Sequence, residues 1–366
     1  MLKKVVVCGF VLIVILLSQT ADAGTVTDQA GRQVEWSAVP ERVVCLGPGA
    51  LRLIVYLQAE GQVVAIEDME KLQPGGRPYR YAHPELVRLP RCGPGGPASI
   101  NKKPDLETLL AVRPQVIFVT YMDASLADEV QKILGIPVVV LSYGAFASFD
   151  TAVYDALRIA GSVLGCEARA RAVIDYIESL RRDLQGRTAT IAAEERPGAY
   201  VGGIGYRGAH GIESTDRVYI PFDWVHARNL AAGVESKLGS HLFVDKEVLL
   251  DLDPAVIFID GGGYQLVAED VRRKAAYYTT LSAFKNRRVY RLLPFNFYTT
   301  NVGSALADAY AIGKILYPQP FEDVDLARKA DEIYTFLVGK PIYKQMEKDY
   351  GPIGEVALFG RQPSVR

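Results

Sequence analysis

The sequence predicts an α/β protein of two αβ lobes with mostly parallel sheets, joined by one long rigid helix. Three observations lead there. First, the chain nearly repeats itself: Asp105 to Thr120 reads DLETLLAVRPQVIFVT and Asp245 to Asp260 reads DKEVLLDLDPAVIFID, with eight of sixteen positions identical. Each copy is a helix-like stretch, a proline break (Pro114, Pro254) and a β-branched run of buried-strand type. One repeat 140 residues downstream is too distant for a solenoid and marks two similar lobes instead. Second, short apolar runs alternate with helical stretches in both halves, as in parallel sheets covered by helices. Third, from Phe149 to about Thr190, apolar residues such as Val153, Leu157, Ala160, Val173, Ile177 and Leu180 recur at helical spacing, with one break around Gly161 to Cys166. A helical connector is stiffer than two flexible crossovers.

The elements follow in order. Residues 1–23 read as a signal peptide: Lys3 and Lys4, an apolar run from Val5 to Leu17, then Ala21-Asp22-Ala23 before a cleavage point. The run is short for a membrane span, which needs about 20 residues. The expectation is a mature chain from near Gly24, exported to the periplasm; an uncleaved anchor is the alternative. The absence of a Cys at the cleavage point argues against a lipid anchor, and the absence of a twin Arg favours general secretion. The N-terminal αβ lobe is expected over residues 24–147. Its hairpin flanks Asp28 to Gly31, its strands run from Arg42 to Leu46 and Val63 to Ile66, and a helix covers Leu51 to Leu57. Proline- and glycine-rich loops from Pro74 to Pro97, the first repeat copy and a strand from Val138 to Leu141 complete it. The linking helix occupies residues 148–192. The C-terminal αβ lobe, residues 193–366, restarts at Gly198 to Gly203, includes the second copy, a strand from Arg288 to Leu293 and a helix from Asp308 to Leu316. Its amphipathic tail (Ile333, Phe336, Leu337, Met346) is expected to pack on that lobe.

Composition excludes several function classes. Lys+Arg and Asp+Glu number 41 and 42, so nothing argues for a nucleic-acid surface. Three cysteines follow the signal peptide, Cys45, Cys92 and Cys166; export permits a disulfide, and Cys45 with Cys92 is the candidate pair. No Cys/His spacing of a zinc site occurs, so no metal site is expected. The four histidines (His83, His210, His226, His241) are far apart, and there is no Gly-x-Ser-x-Gly elbow. The expectation is a binder without catalytic residues or cofactor, not an enzyme.

Ligands of open parallel sheets bind outside the carboxyl ends of the strands, and those of two-lobed proteins sit between the lobes. The segments at the predicted strand ends supply the ligand-binding candidates. They are Gly49, Arg52, Tyr79, Arg80, Gly95 and Tyr121 in the first lobe, and Tyr206, Arg207, His210, Tyr264, Asn296 and Tyr298 in the second. Glycine lets backbone N–H groups come close, tyrosine offers a flat face with a polar tip, and arginine offers forked donors for anionic oxygens. Tight turns and ordinary packing are the bland alternatives for each. Glu107 and Glu247 stand at matching positions of the two copies, a pair suited to docking on a symmetric partner that bears arginines.

Taken together, TVTDQAGRQV with PERVVCLGP, LETLLAVRPQVIFV, KEVLLDLDPAVIFI and LPFNFYTTNVGSALADAYAIGKILYP resemble the periplasmic substrate-binding proteins of ABC importers for iron complexes and cobalamin. The resemblance spans the mature chain. It implies two lobes on one long helix, a ligand between them with modest closure, and one Glu per lobe, Glu107 and Glu247, engaging arginines of a dimeric permease. The stretches GIGYRGAHG and NFYTTN look like an anaerobe-associated branch. Where many members carry Ala-Thr-Glu, this chain has Ala50-Leu51-Arg52, a departure from the family's first-lobe pattern that favours an anionic ligand. The implied function is a monomeric receptor for a small-molecule metal complex, a ferric siderophore or similar iron chelate, delivered to an inner-membrane permease. Cobalamin, another corrinoid or haem are alternatives within the class. An enzyme acting on metal chelates or tetrapyrroles is a rival for which only His210 is at hand, and a sensory receptor domain is a third.

Overall fold

Two four-stranded parallel sheets, one in each half of the chain, organise the protein. This computed structural model describes residues 23–144, 149–206, 208–235, 240–354 and 358. Residues 1–22, which hold most of the expected signal peptide, and Arg207 lie outside the described residues.

The first half opens with the expected hairpin, β1 (Gly24–Thr27) against β2 (Gln33–Trp36). Asp28 sets its turn, accepting from the backbone N–H of Ala30 and Arg32. Next come β3 (Val43–Leu46), α1 (Ala50–Tyr56), β4 (Val63–Ala65), the short helices α2 (Asp68–Lys71) and α3 (Pro78–Ala82), and then α4 (Leu106–Val112), β5 (Val116–Thr120), α5 (Ala124–Leu134) and β6 (Val138–Leu141). The strand order is β4-β3-β5-β6. Strands β3 and β5 are buried on both faces, which is why VVCL and VIFVT read as continuous apolar runs without alternation.

The connector is two helices, α6 (Ala152–Val163) and α7 (Glu167–Thr188), with the break at Gly165, whose φ is 66°. They pack so closely that a Cβ on Gly161 would lie 2.7 Å from that of Ala170. Helix α6 leans on the first lobe and α7, the long element, on the second.

The second half contains β7 (Gly198–Gly202), β8 (Ser214–Asp216), α8 (Ile220–Trp224), β9 (Arg228–Asn229), β10 (His241–Phe243), α9 (Lys246–Leu252), β11 (Val256–Ile259), α10 (Tyr264–Arg273), α11 (Ala275–Tyr278), α12 (Ser282–Lys285) and β12 (Val289–Arg291). Its sheet order is β12-β11-β7-β9, and β8 and β10 form a separate antiparallel pair. Three helices end the chain: α13 (Val302–Leu316), α14 (Leu326–Val338) and α15 (Tyr343–Tyr350).

The sequence repeat is a structural repeat. Helices α4 and α9 both stop at a left-handed residue, Arg113 (φ 46°) and Asp253 (φ 31°), immediately before the shared proline. Each then feeds an interior strand of its sheet, β5 or β11.

Two expectations are corrected. The tail does not pack on the second lobe alone. Helix α14 lies on α13 but also meets α1 and α3. His83 Nε2 is 3.0 Å from the Val338 carbonyl, Lys340 Nζ donates to the Ala82 carbonyl at 2.5 Å, and Tyr81 donates to Asp349 at 2.6 Å. The apolar face read from Ile333 and Leu337 is wide enough to cover both. The Cys45–Cys92 disulfide is not formed, and Cys166 is free as well. Cys45 packs with Val43 and Phe118 on one face of the sheet, whereas Cys92 packs with Val44 and Ile117 on the other.

Candidate functional site

The carboxyl ends of β3, β4 and β5 meet a loop of the second lobe, residues 294–301, and the site is built there. Past Leu46 the chain turns through Gly47 (φ 82°) and Gly49 (φ 81°). The first glycine is required sterically, since a Cβ there would lie 2.7 Å from Thr120 Oγ1. Glu67, two residues beyond β4, is buried. Its Oε2 accepts from Gly47 N at 3.1 Å and from the Tyr298 hydroxyl at 2.6 Å. The same hydroxyl accepts from Gly96 N at 3.1 Å. Burial pushes the Glu67 carboxyl up to about 7, against the opposing pull of the Tyr298 and Gly47 donors. A cavity of about 100 Å³ adjoins it, walled by Gly47, Glu67, Gly95, Ser99 and Thr120, with Lys102 and Lys103 also lining it.

Several residues singled out for ligand contact have other duties. Arg52 is fully buried. Its Nη1 donates to the Thr300 carbonyl at 2.8 Å, and its Nη2 reaches the carbonyls of Phe297, Tyr298 and Thr299 at 3.2, 3.0 and 3.3 Å. The guanidinium therefore pegs the second-lobe loop to the first lobe. Gly49 is pressed beneath that loop: a Cβ would stand 2.5 Å from Thr299 Cγ2. Tyr79 is buried and donates to Glu70, which also pairs with Arg77 at 2.7 Å. Arg80 donates to the carbonyls of Glu70 and His83. Arg52, Tyr79 and Arg80 thus have internal hydrogen bonds in the core, to backbone carbonyls for the two arginines and to the Glu70 carboxylate for Tyr79, that occupy the donors a ligand would use.

The remaining candidates separate into groups. Gly95 walls the cavity, and Tyr298 reaches Glu67 on that wall from the second lobe. Tyr121 (φ 57°) lies 3.4 Å from Thr299 Oγ1, hydroxyl to hydroxyl, and Asn296 pairs with Thr300 across the loop. Tyr264 instead lies under Arg291, whose guanidinium carbon is 3.8 Å from the ring centre. Tyr206 and His210 form their own cluster: Tyr206 stacks on His241 at 4.3 Å, and His210 stands edge-on to Phe243 at 4.9 Å. Burial, then the neighbouring His210, holds His241 down at about 4. Among the described residues no group of His, Cys, Asp and Glu has the arrangement of a metal site.

Sequence reasoning missed Glu67, Thr120 and Thr299. Glu67 left one signal, a carboxylate at a strand end among glycine-rich loops. It also missed Asp260, buried at the end of β11 and pushed up to about 7 by that burial.

Glu107 and Glu247 are both exposed in the first turns of α4 and α9. Asp105, which caps α4, lines the cavity beside Gly47 and Thr120, so Glu107 lies near the carboxyl ends of β3 and β5. Leu110 and Leu250, one turn on, are exposed beside them by 50% and 37%.

The chain matches the periplasmic binding protein family over residues 43–294. It belongs to that family. The molybdate-binding protein MolA of Haemophilus influenzae is 26% identical to this periplasmic binding protein over 331 residues, covering 84% of this chain and 89% of MolA. YvrC of Bacillus subtilis, an ABC transporter substrate-binding lipoprotein, is 20% identical over 302 residues, 82% of this chain and 87% of its own. Among solved structures, a periplasmic solute binding protein from Veillonella parvula superimposes with a TM-score of 0.72 at 17% identity, covering 90% of this chain and 97% of its own. Molybdate-bound MolA superimposes with a TM-score of 0.67 at 20% identity, covering 87% and 98%. The two-lobed fold expected from the sequence is the fold of these proteins, and no helix among the described residues is long and apolar enough to cross a membrane.

Proposed function

We propose that this periplasmic binding protein is the exported, monomeric receptor of an inner-membrane ABC importer, and that its cargo is a compact anion of oxyanion size. The cavity carries the reading. At about 100 Å³ it is far below the roughly 300–1,000 Å³ of sites for drug-sized molecules, let alone a ferric siderophore. The groups that suit an anion are the Lys102 ammonium and backbone made approachable by Gly47, Gly93 and Gly95, all at positive φ, while Ser99, Thr120 and Lys103 on the same wall already donate to the Gly95 carbonyl, the Pro48 carbonyl and Glu129. The likeness to MolA, named for molybdate, supports the same ligand class. Capture would be followed by delivery, with Glu107 and Glu247 as the docking pair.

An iron chelate is the second reading. Tyr206, His210 and the partly exposed Phe243 offer a ring-lined surface on the second lobe, suited to a flat organic complex. Isothermal titration of the exported chain with molybdate, tungstate, sulfate, a ferric tris-catecholate, cobalamin and haem separates the readings. The expected result is stoichiometric binding of molybdate or tungstate at micromolar or tighter affinity, and none of the organic complexes. Binding of the ferric complex alone would move the assignment to the second reading, and turnover of any of them would overturn the receptor.

A further inference from the structure

Glu67 lines the cavity with one oxygen already engaged. Oε2 accepts two donors, Gly47 N and the Tyr298 hydroxyl, and Oε1 makes no hydrogen bond among the described residues. Nor is Oε1 sealed within the packing as an unpartnered buried atom. Glu67 lines the cavity wall, which leaves Oε1 as its carboxyl oxygen available to a bound ligand. An oxygen that receives two donors acts as the carbonyl-type oxygen of a carboxylic acid, which leaves the acidic hydrogen to the other.

We propose that Glu67 is a direct ligand contact that carries a proton on Oε1 and donates it to an oxygen of the bound anion, so that capture of the anion is linked to one proton on the receptor. The proposal rests on the oxyanion reading above and adds the protonation state of the site. An anion such as molybdate presents only acceptors. A carboxylic acid completes a hydrogen bond with it, whereas a carboxylate in the same place repels it.

The surroundings favour the neutral form. Burial raises the Glu67 carboxyl to about 7, and the carboxylates of Glu70 and Asp68 on α2 add to the rise. Cys45 on β3, Cys92 in the following loop and Tyr298 from the second lobe are all pushed up by burial as well. Lys102, Lys103 and Asp105 complete the charged groups around the cavity. The sign follows from linkage. A bound anion raises the Glu67 carboxyl further, so the complex holds the proton to higher pH than the free receptor does. Affinity is then level below about pH 7 and falls by up to about tenfold per pH unit above it.

The test is titration of molybdate into the exported chain at pH 6, 7, 8 and 9, for the wild type, E67Q and E67A, with circular dichroism to check folding. Repeating the wild-type titration at pH 8 in buffers of different ionisation enthalpy counts protons taken up. The wild type should lose affinity above neutrality and take up close to one proton at pH 8. E67Q, whose amide always offers a donor, should show a ratio of about one between pH 6 and pH 9. E67A should bind weakly throughout. Identical pH profiles for the wild type and E67Q, or no proton uptake, would overturn the proposal while leaving the oxyanion receptor standing. Absence of molybdate binding to every variant at pH 6 would remove the oxyanion reading and this proposal with it.

Discussion

At the scale of single residues, Arg52 decides how the lobes meet. Its forked donors hold four successive carbonyls, Phe297 to Thr300, 245 to 248 positions along the chain. Two of those residues, Tyr298 and Thr299, sit in the left-handed region at φ 54° and 64°, which only a well-held loop sustains. Arg52→Met keeps much of the volume but takes away the donor to the Tyr298 and Thr300 carbonyls, while Asn301 still reaches those of Phe297 and Thr299, at about 1–3 kcal/mol for each acceptor not rescued by water. The expected loss is about 3 kcal/mol or more in urea unfolding, with weaker ligand binding because Tyr298 loses its seat. An unchanged urea midpoint would refute this role. The chemistry of Arg52 was legible in the sequence, a fork seeking oxygens, but its partner was not. A donor set does not say whether its acceptors are a ligand or a distant stretch of backbone. The same ambiguity hid Tyr79, which the sequence offered as a ligand platform and which the fold turns toward Glu70.

At the scale of elements, legibility follows periodicity and punctuation. The strands from Val138 to Leu141 and around Val116 were readable because β-branched runs end at turn residues, and the doubled α4–β5 and α9–β11 units because the same helix stop precedes the same proline. Helix α13 was read too short, from Asp308 where it begins at Val302. Nearly every residue of α13 is buried, so no polar face marks its period, and Gly303 and Ser304 look like a loop. The repeat makes a prediction of its own. Glu107 and Glu247, with Leu110 and Leu250 beside them, present matching charged and apolar points on two helices of which only the α4 cap, Asp105, reaches the cavity. In a reconstituted transporter, Glu107→Ala combined with Glu247→Ala should reduce stimulation of the permease ATPase several-fold while ligand affinity, measured by titration, is retained. Full stimulation by the double variant would exclude these helices as the docking points.

At the scale of the whole molecule, the two lobes are not beads on a string. Helices α6 and α7 join them, Arg52 pegs the 294–301 loop across the cleft, and α14 and α15 bind back onto α1, α3 and Ala82 after leaving the second lobe. Sequence reasoning supplied the first tie alone, since an amphipathic tail shows that it packs but not on what. Three ties make independent unfolding of either lobe costly, because opening one strips buried contacts from the other. Scanning calorimetry of the exported chain should therefore show one cooperative transition. Deleting residues 326–366 should lower that transition and also loosen the first lobe, from which those residues are remote in sequence. Hydrogen exchange would read this as faster exchange in β3 and β5 as well as in β7 and β11. Protection of β3 and β5 unaltered by the deletion would show that the tail serves the second lobe only, and that closure of the cleft is hinged more freely than the Glu67–Tyr298 and Arg52 contacts require.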